Sequence, residues 1–161
     1  MLTLVLNVLL ELQRRSPVRF ELAAATVDPQ TDAFKPKPLR KYVESLGVPY
    51  HFLEEPIFDR AKSGQLQGNS ICSFCARMKR GMLYSCCQKN GYNVLVLGQH
   101  LDDLVESFLM SAFHNGTLRT MKANYTIDEG DLRVIRPLVY VREVEMRKYS
   151  HVARLPVINE N

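Results

Sequence analysis

The feature that most constrains the fold is a short, mostly apolar run, Asn93–Leu97, which ends directly in Gly98. An apolar run of this length, bounded by turn residues, predicts a strand buried on both faces, as in a parallel sheet. The residues after it predict a helix with one buried apolar stripe, formed at helical spacing by Leu101, Val105, Phe108, Leu109 and Ala112. A buried strand that leads into a helix favours an α/β fold.

The rest of the chain alternates in the same way. Further helices are predicted at Leu2–Arg14, Leu39–Leu46, Cys75–Asn90 and Arg142–Ala153. Further strands are predicted at Phe20–Val27, Tyr50–Leu53, 134–138 and Pro156–Ile158, and 58–71 predicts a loop or a weak helix. We therefore predict one domain over residues 1–161, with a central parallel sheet of about five strands and helices on both faces. Ligands of such folds bind beyond the carboxyl ends of the strands, where Asp28 and Gly98–Asp103 fall.

Composition excludes several classes of protein. The 161-residue chain has no apolar run near the ~20 residues that cross a bilayer, and its apolar start lacks the marks of a signal peptide. Four cysteines in a domain of this size do not make a disulfide scaffold, so a C-x-x-C pair indicates an intracellular metal or redox site. The net charge of +4 permits a polyanionic partner without requiring one.

Cys72 and Cys75 form the C-x-x-C pair. Two thiolates at this spacing can hold one zinc ion or one iron of a cluster, but both need further ligands. Cys86 lies about 16 Å from Cys75 along the predicted helix, so Cys86 and Cys87 are interpreted as core residues. A thioredoxin-like redox pair is an alternative, although a polar loop rather than a strand precedes Cys72. Two unrelated buried cysteines are the remaining interpretation.

Cations and carboxylates lie close to this pair in the sequence. Lys79 follows Cys75 by four residues and shares its helix face, where a cation attracts phosphates and lowers the pKa of a thiol. A solvated helix face is the alternative. Asp102 and Asp103 follow a strand and open a helix, where they either bind a ligand or cap the helix, Asp103 with Glu106 as a D-x-x-E box.

Three motifs together resemble the tRNA 2-thiocytidine synthetase family. They are C-S-F-C-x-R-x-K-R-G-x-L-Y from Cys72, L-G-Q-H-L-D-D from Leu97, and I-R-P-L-x-Y-x-R-E from Ile135. The family belongs to the PP-loop ATP pyrophosphatases, so the resemblance implies a Rossmann-like fold of the adenine-nucleotide α-hydrolase type. It also implies ATP-dependent formation of 2-thiocytidine in the tRNA anticodon loop. The resemblance implies that the base is adenylated with Mg²⁺ balancing the phosphates, and that sulfur then displaces AMP with the help of a [4Fe–4S] cluster.

The resemblance carries over to particular residues. Cys72 and Cys75 match two of three cluster ligands, and Lys79 and Asp103 match a catalytic lysine and aspartate of related thiolases. The positions implied to contact the nucleotide are Asp28, Gly98, His100 and Asp102. The resemblance implies tRNA and a persulfide or sulfide donor as partners, and it allows a second copy of the chain. The expected compartment is the cytoplasm, with an organelle left open and no membrane association.

The chain also departs from the family pattern. It contains no S-G-G-x-D-S loop and no third cluster cysteine after its last predicted strand, so we expect a fragment that is inactive by itself. Gln99 stands where the bacterial pattern has a second histidine, and Met121–Asn124 replaces a Met-Pro-Pro-Lys-like segment. The alternatives are a nucleotide-binding module of the same fold without catalysis, and a structural domain stabilised by zinc.

Overall fold

The computed structural model describes residues 1–31, 34–61, 71–127 and 131–156, apart from the side chain of Cys72. The helices are α1 (Leu2–Arg15), α2 (Lys37–Ser45), α3 (Ile57–Arg60), α4 (Ile71–Lys89), α5 (Leu101–Asn115) and α6 (Glu143–Val152). The strands are β1 (Ala24–Asp28), β2 (Tyr50–Glu54), β3 (Val94–Val96), β4 (Asn124–Thr126) and β5 (Arg133–Ile135). None of the described helices is long and apolar enough to cross a membrane.

Most predicted elements are confirmed, with shifted ends. The strand predicted at Asn93–Leu97 is β3, and β2 begins at Tyr50 as predicted. Helix α4 begins at Ile71 rather than at Cys75, so both residues of the C-x-x-C pair are helical. Pro156 has no assigned strand, and the remainder of the predicted strand at 156–158 lies outside the described residues, as does most of 58–71.

The strands that the structure describes pair in two hydrogen-bonded groups. β1 pairs with β2 in parallel, with Ala24 opposite Tyr50. β3 pairs with β5 in parallel, and β4 joins the other edge of β5 in the antiparallel sense. The predicted class, α/β with parallel strands and helices, is confirmed. Among the described residues, the order in which the strands pair is decided between elements and not within them.

Helix α1 connects the two sheets. Its residues Leu4 and Val5 are buried in a cluster against which Val96 of β3 packs. Leu6 is buried with Ala24 of β1 in a second cluster. Since α1 is apolar nearly all round, as its sequence predicted, it can contact both sheets at once.

The prediction of a buried apolar stripe on α5 was wrong. None of the residues of α5 is buried, and Val105, Phe108 and Leu109 are exposed. Periodicity predicts that a helix has an apolar face, but it does not determine whether another element covers that face.

Candidate active site

A cavity of about 270 Å³ lies where the first turn of α1 meets β1 and α4. Its polar lining residues are Thr3, Thr26 and Lys79, and its apolar wall includes Val27 and Leu83. The first N–H groups of a helix have no acceptor within the helix, so this end of α1 brings backbone donors and partial positive charge to the cavity. The cavity therefore offers cationic and hydrogen-bonding groups to an anionic ligand.

Two hydrogen bonds hold this lining in place. The hydroxyl of Thr3 donates to the carbonyl oxygen of Pro156 at 3.2 Å. The hydroxyl of Tyr50 donates to Oγ1 of Thr26 at 3.0 Å and thereby ties β2 to β1. Burial raises the pKa of Tyr50, so this phenol stays neutral and keeps its proton for the bond.

Cys75 and Lys79 lie one turn apart on α4. Lys79 lines the cavity, and Cys75 packs against a buried cluster that includes Val27 and Phe74. Val27 also lines the cavity, so the cluster against which Cys75 packs forms part of the cavity wall. Cys72 lies in the first turn of the same helix, but its side chain is outside the described residues. The structure thus brings together two of the residues that the sequence selected.

Cys86 and Cys87 are buried, as predicted. Burial raises the pKa of both thiols, which keeps them protonated and poor as metal ligands. Cys87 packs with Leu95 and Val134 in the core of the three-stranded sheet. Both residues are structural.

Asp102 connects α5 to the start of α6. Its carboxylate accepts a hydrogen bond from the backbone N–H of Glu143 at 2.7 Å and another from Nε of Arg142 at 3.0 Å. The backbone bond from Glu143 is the main cause of a lowered pKa, and Arg142 adds to it. Because a ligand of Mg²⁺ needs free oxygens, this arrangement fits an anchor for α6 better than a metal ligand.

Asp103 caps its own helix. Its Oδ2 accepts a hydrogen bond from the backbone N–H of His100 at 2.8 Å. The D-x-x-E interpretation placed the cap one helical turn too late, because α5 begins at Leu101 and Asp103 is its third residue. Capping explains one carboxylate oxygen of Asp103 and leaves the other available.

His100 is 6% exposed and lies between these two carboxylates. Its Nδ1 is 3.7 Å from Oδ2 of Asp102, and its Nε2 is 3.4 Å from Oδ2 of Asp103. Nδ1 is buried without a hydrogen-bond partner among the described residues. This unsatisfied atom could bind a polar ligand group or a water molecule.

Gly98 and Asp28 have local structural explanations. A Cβ at Gly98 would lie 3.2 Å from Cβ of Met1 and 3.3 Å from Cγ2 of Val5, so α1 approaches this glycine closely. Oδ1 of Asp28 accepts the backbone N–H of Gln30 at 2.7 Å and closes the turn after β1. Neither contact tests the predicted nucleotide contacts of these residues.

Sequence reasoning missed the role of Arg136, which is 6% exposed. Its Nε donates to the side-chain oxygen of Gln99 at 3.0 Å, and its Nη1 donates to the carbonyl oxygen of Lys122 at 2.5 Å. Its guanidinium lies 5.5 Å from the ring centroid of Tyr125. Arg136 therefore joins the tip of β3 to the segment before β4. Arg136 belongs to the I-R-P-L motif, which is the sequence feature that could have indicated a structural role for it.

The predicted site residues fall into two groups. Lys79 lines the cavity, and Cys75 packs against a cluster that shares Val27 with the cavity wall. Asp28, His100 and the two aspartates are not among the residues that line this cavity. Asp102 lies instead where α5 meets α6, and Asp103 caps the first turn of α5. The described residues thus place Lys79 at the cavity and the two aspartates at the first turn of α5.

Residues 3–160 match the family model of the PP-loop domain. The chain belongs to this family. It is 41% identical to the tRNA-cytidine(32) 2-sulfurtransferase of Geobacter sulfurreducens, over 96% of this chain and 60% of the relative. The enzyme of the same name from Stenotrophomonas maltophilia strain K279a is 38% identical over 96% of this chain and 50% of the relative. The resemblance drawn from the three motifs is confirmed.

A solved structure agrees with the fold. It is the U34-tRNA thiolase NcsA from Methanococcus maripaludis with its [4Fe-4S] cluster, at a TM-score of 0.73 and 18% identity. The match covers 95% of this chain and 52% of that one. The chain thus spans about half the length of these two proteins.

Proposed function

We propose that this PP-loop domain is part of an ATP-dependent tRNA sulfurtransferase that forms 2-thiocytidine in the anticodon loop. The identity of 41% over nearly the whole chain supports the substrate and the reaction. The observation that carries the proposal within the structure is that Cys75 and Lys79 lie one turn apart on α4, Lys79 in the cavity and Cys75 against the cluster that shares Val27 with the cavity wall. The expected compartment of such an enzyme is the cytoplasm.

The cavity would hold the phosphates of ATP. The ammonium of Lys79 and the N–H groups at the start of α1 are the groups that stabilise phosphate charge. As AMP leaves the activated base, Lys79 would stabilise the negative charge that grows on its phosphate. Contacts of Asp28, Gly98 and His100 with the nucleotide stay predictions of the resemblance.

Magnesium would neutralise the phosphates when ATP binds. Asp102 does not fit as a ligand while its carboxylate binds Arg142 and Glu143. Asp103 keeps one oxygen for a ligand or a proton. Asp102 is therefore not assigned to magnesium. Asp103 is the proposed catalytic carboxylate, together with Lys79.

Cys75 fits a thiolate ligand of an iron–sulfur cluster, because its partly exposed thiol lies on the same helix face as Lys79. A cluster held by Cys72 and Cys75 would supply an iron on which sulfur can bind. The neighbouring apolar side chains Val27, Phe74 and Leu83 would keep water from that sulfur. The sulfur donor is expected to be a persulfide or sulfide source.

The tRNA would be held through its phosphates. Lys35 and Lys37 are exposed next to Phe34, which lines the cavity, and Arg77 and Arg80 are exposed on α4 beside Lys79. Cations around the mouth of a cavity can guide and hold an RNA backbone.

The cluster assignment is tested by Cys75→Ser, with Cys86→Ser as the matched control on the same helix. In protein expressed from its complete gene and purified without oxygen, Cys75→Ser should lose the brown colour, the bound iron and 2-thiocytidine formation. Cys86→Ser should keep all three, because Cys86 lies in the core. Full iron occupancy in Cys75→Ser would refute the assignment, and zinc without iron or sulfide in the parent would favour a structural zinc site instead.

The chain as given should not hydrolyse ATP. Its sequence has no S-G-G-x-D-S segment, so the pyrophosphate lacks the backbone cradle that this fold otherwise provides. Calorimetric titration of the chain with ATP should show no tight binding. Micromolar affinity would contradict this expectation and would make the cavity sufficient by itself.

A further inference from the structure

Arg136 is a buried cation, and no carboxylate among the described residues pairs with it. Its guanidinium donates to the side-chain oxygen of Gln99 at 3.0 Å and to the carbonyl oxygen of Lys122 at 2.5 Å, and both acceptors are neutral. A guanidinium keeps its charge in proteins, and a buried charge is costly unless an opposite charge lies nearby. The environment of Arg136 therefore favours an anionic ligand.

Two tyrosines lie next to this cation. The guanidinium of Arg136 is 5.5 Å from the ring centroid of Tyr125, and the hydroxyl of Tyr125 is 3.0 Å from the hydroxyl of Tyr84. Both rings pack against the buried core of the three-stranded sheet. The two hydroxyl groups are thus held in place before any ligand binds.

The surrounding charges decide which phenol can donate to a ligand. Burial, together with the hydrogen bond to Tyr125, raises the pKa of Tyr84 to about 12. Burial acts in the same direction on Tyr125, but the hydrogen bond with Tyr84 and two nearby arginines outweigh it and lower the pKa of Tyr125. These arginines are Arg136 and Arg80. The difference fits Tyr84 as the donor within the pair, which leaves the more acidic proton of Tyr125 for an anion.

Helix α4 places this group of residues beside the cavity. Lys79 and Leu83 line the cavity, and Arg80 and Tyr84 each follow one residue later on the same helix. One residue corresponds to a rotation of about 100°, so Arg80 and Tyr84 form the neighbouring strip of the helix surface. Arg80 is exposed, and its positive charge acts on both phenols.

We propose that Arg80, Arg136 and the hydroxyl of Tyr125 bind one phosphate of the tRNA backbone, beside the nucleotide that is thiolated. The proposal rests on the proposed function, which brings that nucleotide to the cavity. Guanidinium groups bind phosphate oxygens through parallel N–H donors, and a phenol adds a neutral donor. Arg119 and Lys122 are exposed on the segment before β4 and extend the positive charge, which suits the successive phosphates of an RNA.

The first test measures the affinity for tRNA, across a salt series, of protein expressed from its complete gene. Tyr125→Phe should lower the affinity about fivefold without changing the salt slope, because a neutral phenol releases no counterion. Arg80→Gln should lower the affinity about tenfold and reduce the slope by about 0.9. Both changes leave Arg136 and the bonds that join its neighbouring segments in place.

Two control variants match these changes. Tyr92→Phe also removes a phenol hydroxyl that contacts another side chain, His51 at 2.8 Å, but Tyr92 lies before β3, at the other end of that strand. Lys89→Gln removes an exposed charge at the end of α4. Both controls should bind tRNA as the parent does. The affinity for ATP should be the same in the parent and in all four variants.

The second test identifies the phosphate. Neutral methylphosphonate links replace single phosphates, one at a time, in the anticodon loop of a tRNA assembled by ligation. One link beside the target cytidine should weaken binding to the parent about tenfold, because the guanidinium loses its charged acceptor. The same link should cause no further loss in Arg80→Gln. A full further loss in that variant at every position would overturn the proposal.

The outcomes separate this site from the proposed function. A parent protein that binds no tRNA would overturn both. A parent that binds tRNA, with Tyr125→Phe binding equally well, would overturn the phosphate site alone. Equal losses in Tyr125→Phe and Tyr92→Phe would assign the phenol of Tyr125 to the fold. A loss of ATP affinity without a loss of tRNA affinity would assign the site to a phosphate of ATP, and either result would refute the proposal.

Discussion

The carboxylate of Asp102 binds the start of α6, and this contact should make the stability of the fold depend on pH. A carboxyl whose pKa is lowered by folding stabilises the fold fully above its ordinary pKa of about 3.9. That contribution is lost as the pH falls through the lower pKa of the folded state. Asp102→Asn should therefore lower the Tm by a few degrees at pH 7, and the difference should shrink as the pH falls below 4. Thermal melts at several pH values measure this.

The control for this experiment is Asp59→Asn, because Asp59 is exposed on α3. Its Tm should follow that of the parent at each pH. An equal loss of stability in Asp102→Asn at pH 3 and at pH 7 would show that packing, rather than the charge of Asp102, holds α6.

Lys79 lines the cavity and is the proposed catalytic cation. Lys79→Ala, in protein expressed from its complete gene, should lower the rate of 2-thiocytidine formation about 100-fold, as expected for loss of one group that stabilises transition-state charge. Lys89→Ala changes an exposed lysine at the end of the same helix and should alter the rate less than twofold. Mass spectrometry of the tRNA nucleosides gives the rate, and an equal effect of the two changes would reduce Lys79 to a surface residue.

At the scale of the element, one glycine within α4 and one just after it test the backbone of the helix and its end. Gly81 lies in the helix with space for a Cβ, so Gly81→Ala should stabilise the protein by about 1 kcal/mol. Gly91 ends the helix at a φ of 72°, where alanine is strained, so Gly91→Ala should destabilise it by about 1 kcal/mol. Urea unfolding measures both, and effects of the same sign would contradict this account.

How well each element was predicted depends on the range of the interactions that fix it. The Asn90-Gly91 pair signals the end of α4 in the sequence itself, because a positive φ is a local property. The start of α4 at Ile71 and the exposure of Phe108 on α5 were mispredicted. Both depend on neighbouring elements that the sequence of the helix does not contain.

At the scale of the whole molecule, exposed cations near the cavity predict a salt-dependent affinity for tRNA. If three phosphates are neutralised, affinity should fall roughly 40-fold between 50 and 200 mM salt. Lys37→Ala should lower the slope of log affinity against log salt by about 0.9. Arg15→Ala should not change the slope, because Arg15 pairs with Glu11 at 2.6 Å. Filter binding across a salt series measures both, and equal slopes for the two variants would count against the proposed RNA surface.

The range of the interactions also explains which neighbours of the candidate site the sequence could indicate. Cys75 and Lys79 are four residues apart on one helix, so helical geometry alone places them together. Whether Asp102 joins them depends on α6, which lies forty residues later and takes up its carboxylate through Arg142 and Glu143. The buried position of Arg136 likewise depends on partners from two other segments, Gln99 and Lys122.

The sequence by itself determined the α/β class, most helices and strands, the family, and the pairing of Cys75 with Lys79. Each of these rests on periodicity, on local backbone geometry or on motifs that are continuous in the chain. Only the tertiary structure decided how the described strands pair on either side of α1 and that Asp102 anchors α6. It also decided that no residue of α5 is buried by the part of the chain that the structure describes. These features arise between segments that are far apart in the chain, where packing and competition for hydrogen-bond partners select one arrangement among several that the same local patterns allow.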